Sequence, residues 1–346
     1  VRILVDLGHP AHVHLFKNAI SVWKEHGHHV VIAARDKDIV LQLLDAYGFE
    51  YSIASRAKSG RLRLLLEMVT HDAQVFRLAK LHRSDILVGT SVAAAHVSRV
   101  TKARSVLFTE DDADVYPAFA RLACPFADYV VTPSCVRGEY GRKHVRHNSL
   151  HELAYLHPNY FTPNPRILEN LGVREGDRFF LLRFVGFSAS HDVGERGFDT
   201  EARRELVRIL SRAGRVFVTA EGPLLPDLAA YRVRIAPERI HDVLHYATML
   251  IGDSQTMAVE AAVLGTPAVR CNTFARRCSV LDELEFDYGL MYSYLPIEWE
   301  ALVDKVESLL DDQRLAERWC SKRQRLLEEK TDLTTWMVEF IEEVGS

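Results

Sequence analysis

Two doubly wound α/β domains in one chain are what this sequence predicts, and three observations predict them. Short β-rich runs alternate with longer helical patterns along most of the chain, as they do where helices cross between neighbouring parallel strands. A proline-rich stretch divides that alternation once, at 156–177. The length of 346 residues exceeds the usual size of one domain and suits two.

The first alternation begins with RILVD (2–6), HVVIAAR (29–35), YSIA (51–54), DILVGT (85–90), SVLFTE (105–110) and DYVVTP (128–133). Continuous apolar runs of this kind suit parallel strands covered on both faces. A helix over 11–26 is closed by Gly27, a residue free to take positive φ. In LHPNYFTPNPRILENLGVREGD (156–177), Pro158, Pro163 and Pro165 oppose regular structure. Pro165 can then open a helix ending near Gly172. The second alternation gives strands at 179–184, 215–220, 231–235, 248–253 and 267–270, with helices at 200–213, 237–247 and 255–264. Residues 298–346 are mostly helical and highly charged. The expected domains are therefore 1–155, a linker region 156–177, 178–310, and C-terminal helices 311–346. A ligand cleft is expected between the lobes, at the carboxyl ends of strands.

Composition excludes several classes. With 48% hydrophobic and 26% charged residues the chain can bury sizeable cores, which a mainly disordered chain cannot. Its 43 basic and 47 acidic side chains leave a net charge of −4, against broad nucleic-acid binding. The charge is uneven, +4 over 1–155 and −8 over the remainder. No apolar run reaches membrane-spanning length, and VRILVDLGHP lacks a signal-peptide pattern. Five cysteines without a CxxC pair give neither a disulfide framework nor a zinc knuckle. The expectation is a soluble, cytoplasmic protein.

The most informative segment is IGDSQTMAVEAAVLGTPAVR (251–270). A strand ends at Asp253, Ser254 can cap a helix and Gly265 can end it. The unpaired N–H groups and positive dipole end of a helix start suit phosphate. Glu260, roughly 9 Å further along at 1.5 Å per residue, suits ribose hydroxyls. The plain alternative is an ordinary βαβ turn with a surface glutamate.

This segment resembles the nucleotide-binding signature of the C-terminal lobe of GT-B proteins. It is similar to that of the transferase adding N-acetylglucosamine to lipid-linked peptidoglycan precursor, and of UDP-N-acetylglucosamine 2-epimerases. A closer resemblance, to the family called domain of unknown function 354, rests on DLGHPAHVHLFKN (6–18), ELAYLHPNYFTP (152–163), RFVGFSASHD (183–192) and HDVLHYATMLIGDSQTMAVEAAVLGTP (241–267). Members of that family often occur in polysaccharide-synthesis settings. The resemblance implies a GT-B-like fold of two Rossmann-like domains facing a central cleft. It implies a nucleotide-sugar donor, UDP-linked, on 178–310 and an acceptor on 1–155.

Arg183, Ser188 and His191 then become donor contacts, since guanidinium is a permanent, bidentate partner for phosphate. His191 beside Asp192 is otherwise a polar loop pair. Ser254, Gln255, Thr256 and Glu260 complete the donor set. Ile235, by fold analogy alone, offers backbone groups to the base. His9 follows Gly8 at the end of the first strand, where the similar peptidoglycan transferase has a Gly-Gly-His turn. An imidazole there can take a proton from an acceptor hydroxyl or simply cap the next helix. Glu110, first of the acids in TEDDAD (109–114), supports His9 or competes as the base; a solvated acidic turn is the alternative.

No metal is assigned, because His9, His12 and His14 lack the i, i+4 spacing and a carboxylate partner. No cofactor is required beyond the nucleotide-sugar. Similar epimerases carry an acid in the turn occupied here by Thr90, and their paired Pro-Glu-Glu pattern is absent from 111–125, which favours transferase over epimerase or hydrolase. A non-catalytic nucleotide-sugar-binding protein is the third reading. Residues 56–83 carry seven Arg/Lys against two acids, with leucines between them. They suit peripheral contact with a membrane holding a lipid-linked acceptor, or a sheet-covering helix with a basic edge. His144, His147 and His151 are spaced to share a helical face on a basic surface. His26, His28 and His29 surround a helix-ending glycine and read as structural.

Overall fold

In the computed structural model the chain forms two compact units, Val1–Tyr160 with Lys330–Ser346, and Phe161–Glu329. The structure describes residues 1–57, 60–186 and 196–346, with backbone alone at 61 and 62.

The first unit runs β1 (Arg2–Leu7), α1 (Pro10–Glu25), β2 (His29–Asp36), α2 (Val40–Ala46), β3 (Ser52–Arg56), α3 (Arg61–Leu81), β4 (Ile86–Gly89), α4 (Val92–Ser98) and β5 (Arg104–Phe108). It continues with α5 (Pro117–Leu122), β6 (Tyr129–Pro133), β7 (His144–His147) and α6 (Leu153–Leu156). The sheet order is β3-β2-β1-β4-β5-β6-β7, with every pairing parallel. Helices cover it because its strands are apolar on both faces: Ile3, Leu4 and Val5 are all buried. On one face Leu4, Leu87, Leu107 and Val130 pack with Val75 and Ala79 of α3 and the alanines of α4.

The second unit runs α7 (Arg166–Leu171), β8 (Phe179–Phe184), α8 (Thr200–Ser211), β9 (Arg215–Ala220), α9 (Ile240–Tyr246), β10 (Met249–Gly252), α10 (Gln255–Leu264) and β11 (Ala268–Cys271). Then come α11 (Ser279–Asp282), β12 (Met291–Tyr294), α12 (Trp299–Asp311) and α13 (Leu315–Glu329). Its sheet order is β12-β11-β10-β8-β9, again parallel throughout. α14 (Leu333–Gly345) returns to the first unit. There Thr334 donates to the Ala154 carbonyl at 2.7 Å, and Arg104 donates to that of Val344 at 2.6 Å.

Two sequence expectations are corrected, and one strand is added. Residues 144–147 form the edge strand β7, paired with β6, so His144 and His147 share no helical face. Residues 231–235 form no strand; a 3-10 turn over Pro226–Tyr231 precedes a single bridge from Arg232 to Val218. The prolines at 226 and 237 bracket a segment too short to extend that pairing. Strand β12 was not expected, because the half-buried MYSY run is short and weakly apolar.

Each sheet has one point where its strand order reverses, between β1 and β4 in the first unit and between β8 and β10 in the second. Both carry a glycine against the neighbouring backbone. A Cβ on Gly89 would sit 2.7 Å from the Asp6 carbonyl oxygen, and one on Gly252 would sit 2.7 Å from that of Arg183. Gly89→Ala and Gly252→Ala are therefore expected to destabilise their units by roughly 1–3 kcal/mol each. Gly222→Ala, which meets nothing within 4 Å, should change little. Urea unfolding of the three variants checks this.

Candidate functional site

In open α/β sheets ligands bind outside the carboxyl ends of strands, where the order reverses. Each unit has such a place.

In the second unit it lies at the ends of β8 and β10. Gly252 on β10 is in register with Arg183 on β8. Ser254 caps α10, its side chain accepting from Met257 N at 3.3 Å, and Gly265 ends the helix with φ of 79°. Ser254, Gln255 and Thr256 are half-buried at this helix start. Asp253 is 1% exposed, accepts from Val185 N at 2.6 Å, and lies 4.0 Å from Arg203. Burial lifts its carboxyl to about 7, against the pull of the Val185 amide and Arg203. Asn272 steadies the turn by donating to the Asp253 carbonyl at 2.8 Å.

The Arg183 guanidinium is already engaged. It donates to Glu221 at 2.6 Å and to Thr219 at 3.1 Å, both at the end of β9. Glu221 also accepts from Gly186 N at 3.0 Å. The Glu221-Gly222 turn reads from sequence as a plain turn or a strand-end site; its pairing with Arg183 needs the sheet order to be seen.

Glu260 is 4% exposed and 3.0 Å from Nε2 of His241 on α9, itself 2% exposed. The surface glutamate of the plain alternative is thus excluded. Ile235 is half-buried in the irregular segment after the 3-10 turn. Ser188, His191 and Asp192 lie outside the described residues. Sequence reasoning missed Arg270, which is 1% exposed on β11 and adjacent in register to Gly252. Burial lowers its pKa against the nearby charges of Glu285 and Asp282.

The first unit gathers polar groups at the ends of β1 and β4. His9 caps α1, Nδ1 accepting from Ala11 N at 3.3 Å from an extended backbone. The capping role open to it in the sequence is therefore present. His12, one turn later, lies 2.6 Å from Thr90 Oγ1. Burial, then the charges around it, beginning with His9 and His151, hold His12 well below the usual histidine range. Beneath these, fully buried Asp6 accepts from Ser91 and lies 2.9 Å from Nε2 of His71. His71 Nδ1 is 2.8 Å from Ser55 Oγ, and Arg35 donates to Glu67 at 2.6 Å. Burial pulls His71 down, but Asp6 outweighs it and holds the imidazole above its ordinary value. Nothing in the local sequence of α3 marked His71 as Asp6's partner; only the crossover brings them together.

Glu110 is half-buried beyond β5 and 3.4 Å from Nδ1 of His151. Burial drives His151 down to about 3, so at neutral pH that contact joins a neutral imidazole to the carboxyl.

Each of the two units is thus a parallel α/β sheet with a polar constellation at its reversal point. The chain belongs to the family described as "Protein of unknown function (DUF354)", whose model matches residues 1–209. Three of the resembling stretches fall inside that range, and 241–267 lies beyond it. No curated protein matches the chain.

Among solved structures, the glycosyltransferase SnogD from Streptomyces nogalater matches with a TM-score of 0.63 and 15% identity, over 100% of this chain and 99% of that one. The UDP-GlcNAc 2-epimerase from Neisseria meningitidis bound to UDP-GlcNAc matches at 0.62 and 12%, over 99% of each chain. The S. aureus MnaA–UDP co-structure matches at 0.63 and 12%, over 96% of this chain and 93% of that one. The fold is thus the GT-B and epimerase fold along the full chain.

Proposed function

We propose that this protein is a glycosyltransferase moving a sugar from a UDP-sugar to a glycan or lipid-linked acceptor in polysaccharide biosynthesis, with no metal required. The observation that carries this reading is the grouping at the ends of β8 and β10. There a capped ten-residue helix starts beside Arg183 and beside a carboxyl lifted to about 7. A partly neutral Asp253 repels a diphosphate less than an ionised one. The helix start and Arg183 supply positive potential where the leaving nucleotide gathers charge. Arg183 has to exchange Glu221 for phosphate, which makes Glu221 its resting partner. Relatives of this fold solved with UDP and UDP-GlcNAc support the choice of donor.

In this reading Arg183, Ser188, His191, Ser254, Gln255 and Thr256 hold the diphosphate side of the donor, and Ile235 meets the base. Glu260 takes the ribose. His9 is the base toward the acceptor, and Glu110 supports it or substitutes for it. With Nδ1 accepting from Ala11, a neutral His9 carries its hydrogen on Nε2. Accepting a proton therefore requires the ring to release its cap.

Incubation with a nucleotide-sugar panel, with and without acceptors, tests the activity. Acceptor-dependent nucleotide release is the expected result. An altered sugar without acceptor identifies an epimerase, release without acceptor a hydrolase, and binding without turnover a sensor.

Glu260→Gln keeps the shape of the side chain while removing its charge. A charged hydrogen bond is worth about 1.5–3 kcal/mol, so UDP binding should weaken by roughly ten-fold or more. A 2′,3′-dideoxy nucleotide should lose little further affinity in that variant. Additive losses in calorimetry would instead make Glu260 a structural partner of His241.

The same reading places the protein in the cytoplasm, at the inner face of the membrane, through α3. Leu65, Leu66 and Val69 on that helix are 57%, 57% and 61% exposed, and Arg63 is exposed with them. Among the described residues no helix is long and apolar enough to cross a membrane, so any contact through α3 is peripheral. Exchanging Arg61 and Arg63 for Glu should weaken binding to anionic vesicles without unfolding the protein. Absence of salt-sensitive vesicle binding by the unmodified chain would make α3 a solvated face.

A further inference from the structure

Far from His9, the same unit holds a second cluster of chemistry-bearing side chains. His26, at the C-terminus of α1, is followed by Gly27 with φ of 80° and then by His28, just before β2. The glycine reverses the chain. Glu342 reaches the same place from α14.

Its Oε1 lies 2.6 Å from Nδ1 of His26 and 3.0 Å from Nε2 of His28. One ligand atom from each residue falls within 4.8 Å of the others, as in no other such group among the described residues. The opposite nitrogen of His28 lies 3.2 Å from the backbone nitrogen of Val1.

We propose that His26, His28 and Glu342 bind a divalent transition ion of the zinc class. Two imidazole nitrogens converging on one carboxylate oxygen require a proton on each facing nitrogen; a single dication takes the place of both, each neutral imidazole then carrying its proton on the opposite ring nitrogen. Bonds of about 2.0–2.1 Å in tetrahedral geometry set ligand atoms roughly 3.3 Å apart. The two contacts to Glu342 open by roughly 0.7 and 0.3 Å to reach that spacing, and the two imidazole nitrogens, within 4.8 Å of each other, settle at the same distance. The nitrogen-rich set selects zinc-like ions over magnesium or calcium.

The side chains of His26 and Glu342 are 50% and 33% exposed, so an ion can enter and water can fill the fourth position. α1 has 16 residues, roughly 24 Å at 1.5 Å per residue, and it separates this cluster from His9. The ion therefore acts as a staple, tying α14 to the turn between α1 and β2, and takes no part in chemistry at the strand ends.

The test uses the full chain carrying Cys320→Ser, which removes the exposed thiol as a competing ligand. Calorimetry with Zn²⁺ should show one ion bound per chain. Glu342→Gln should weaken it at least ten-fold, and His26→Ala with His28→Ala should abolish it. The thermal midpoint should rise with zinc in the parent chain and not in Glu342→Gln. Co²⁺ should give the visible absorption of a tetrahedral site in the parent and lose it in Glu342→Gln.

His29 and His82, whose ring nitrogens lie 3.2 Å apart, provide the control, and His82→Ala should bind zinc normally. No zinc binding by the parent, binding unchanged in Glu342→Gln, or loss in His82→Ala would each overturn the proposal. Should the double histidine variant fail to fold, Glu342→Gln decides alone, because it keeps the size of a half-exposed side chain.

Discussion

Replacing His9 with asparagine is expected to slow sugar transfer by roughly 10²–10⁴-fold, the usual contribution of a positioned base, while leaving the fold intact. Asparagine is a good helix cap and can keep the bond from Ala11 that His9 now accepts at 3.3 Å. It cannot take a proton. His9→Ala loses both functions, so it should lose turnover and also about 1 kcal/mol of stability. Donor affinity should change little in either variant, because the proposed donor contacts lie in the other unit. The comparison separates catalysis from capping. If His9→Asn turns over normally while His9→Ala is merely less stable, His9 is a cap, and Glu110 becomes the base to test.

Asp253→Asn should remove a pH dependence of stability worth at most about 4 kcal/mol. Burial raises the folded pKa of Asp253 from 3.8 to about 7, so between those values the native state binds more protons than the unfolded one. Stability from this group is therefore full below about pH 4 and is lost as pH rises to about 7. The amide of asparagine can still accept from Val185 N, now 2.6 Å away, without the cost of an ionised group that is 1% exposed. Urea unfolding at pH 5 and pH 8 should show the parent losing stability relative to Asp253→Asn at the higher pH. Parallel profiles would mean that Asp253 titrates near its ordinary value and that the donor site faces a full negative charge.

Local pattern made most of the fold legible. Strands 179–184 and 215–220 and helix 255–264 stand in the structure where their apolar runs and the Ser254 and Gly265 caps end them. Buried parallel strands announce themselves because both faces are apolar. Two edge strands do not: β7 contains HVRH and β12 contains MYSY, and each becomes a strand only because a neighbour offers its backbone, whereas the edge strands β3 and β9 carry enough apolar residues to be read. The same limit applies to side-chain partners. Ser254 and Arg183 sit at strand ends that periodicity can locate. The Arg183–Glu221 and Glu260–His241 pairs depend on which strands and helices become neighbours. Asp6 and His71, 65 residues apart, meet only after α3 has crossed the sheet.

Hydrogen–deuterium exchange with and without UDP tests the central claim most directly, because it reads both binding and its place. The account predicts that saturating UDP slows exchange at 253–257, the start of α10, and at 183–186 beyond β8. It predicts no change at 89–98, the turn and helix after β4. Protection confined to 89–98, or no protection anywhere at UDP concentrations that saturate nucleotide-sugar enzymes, would contradict it.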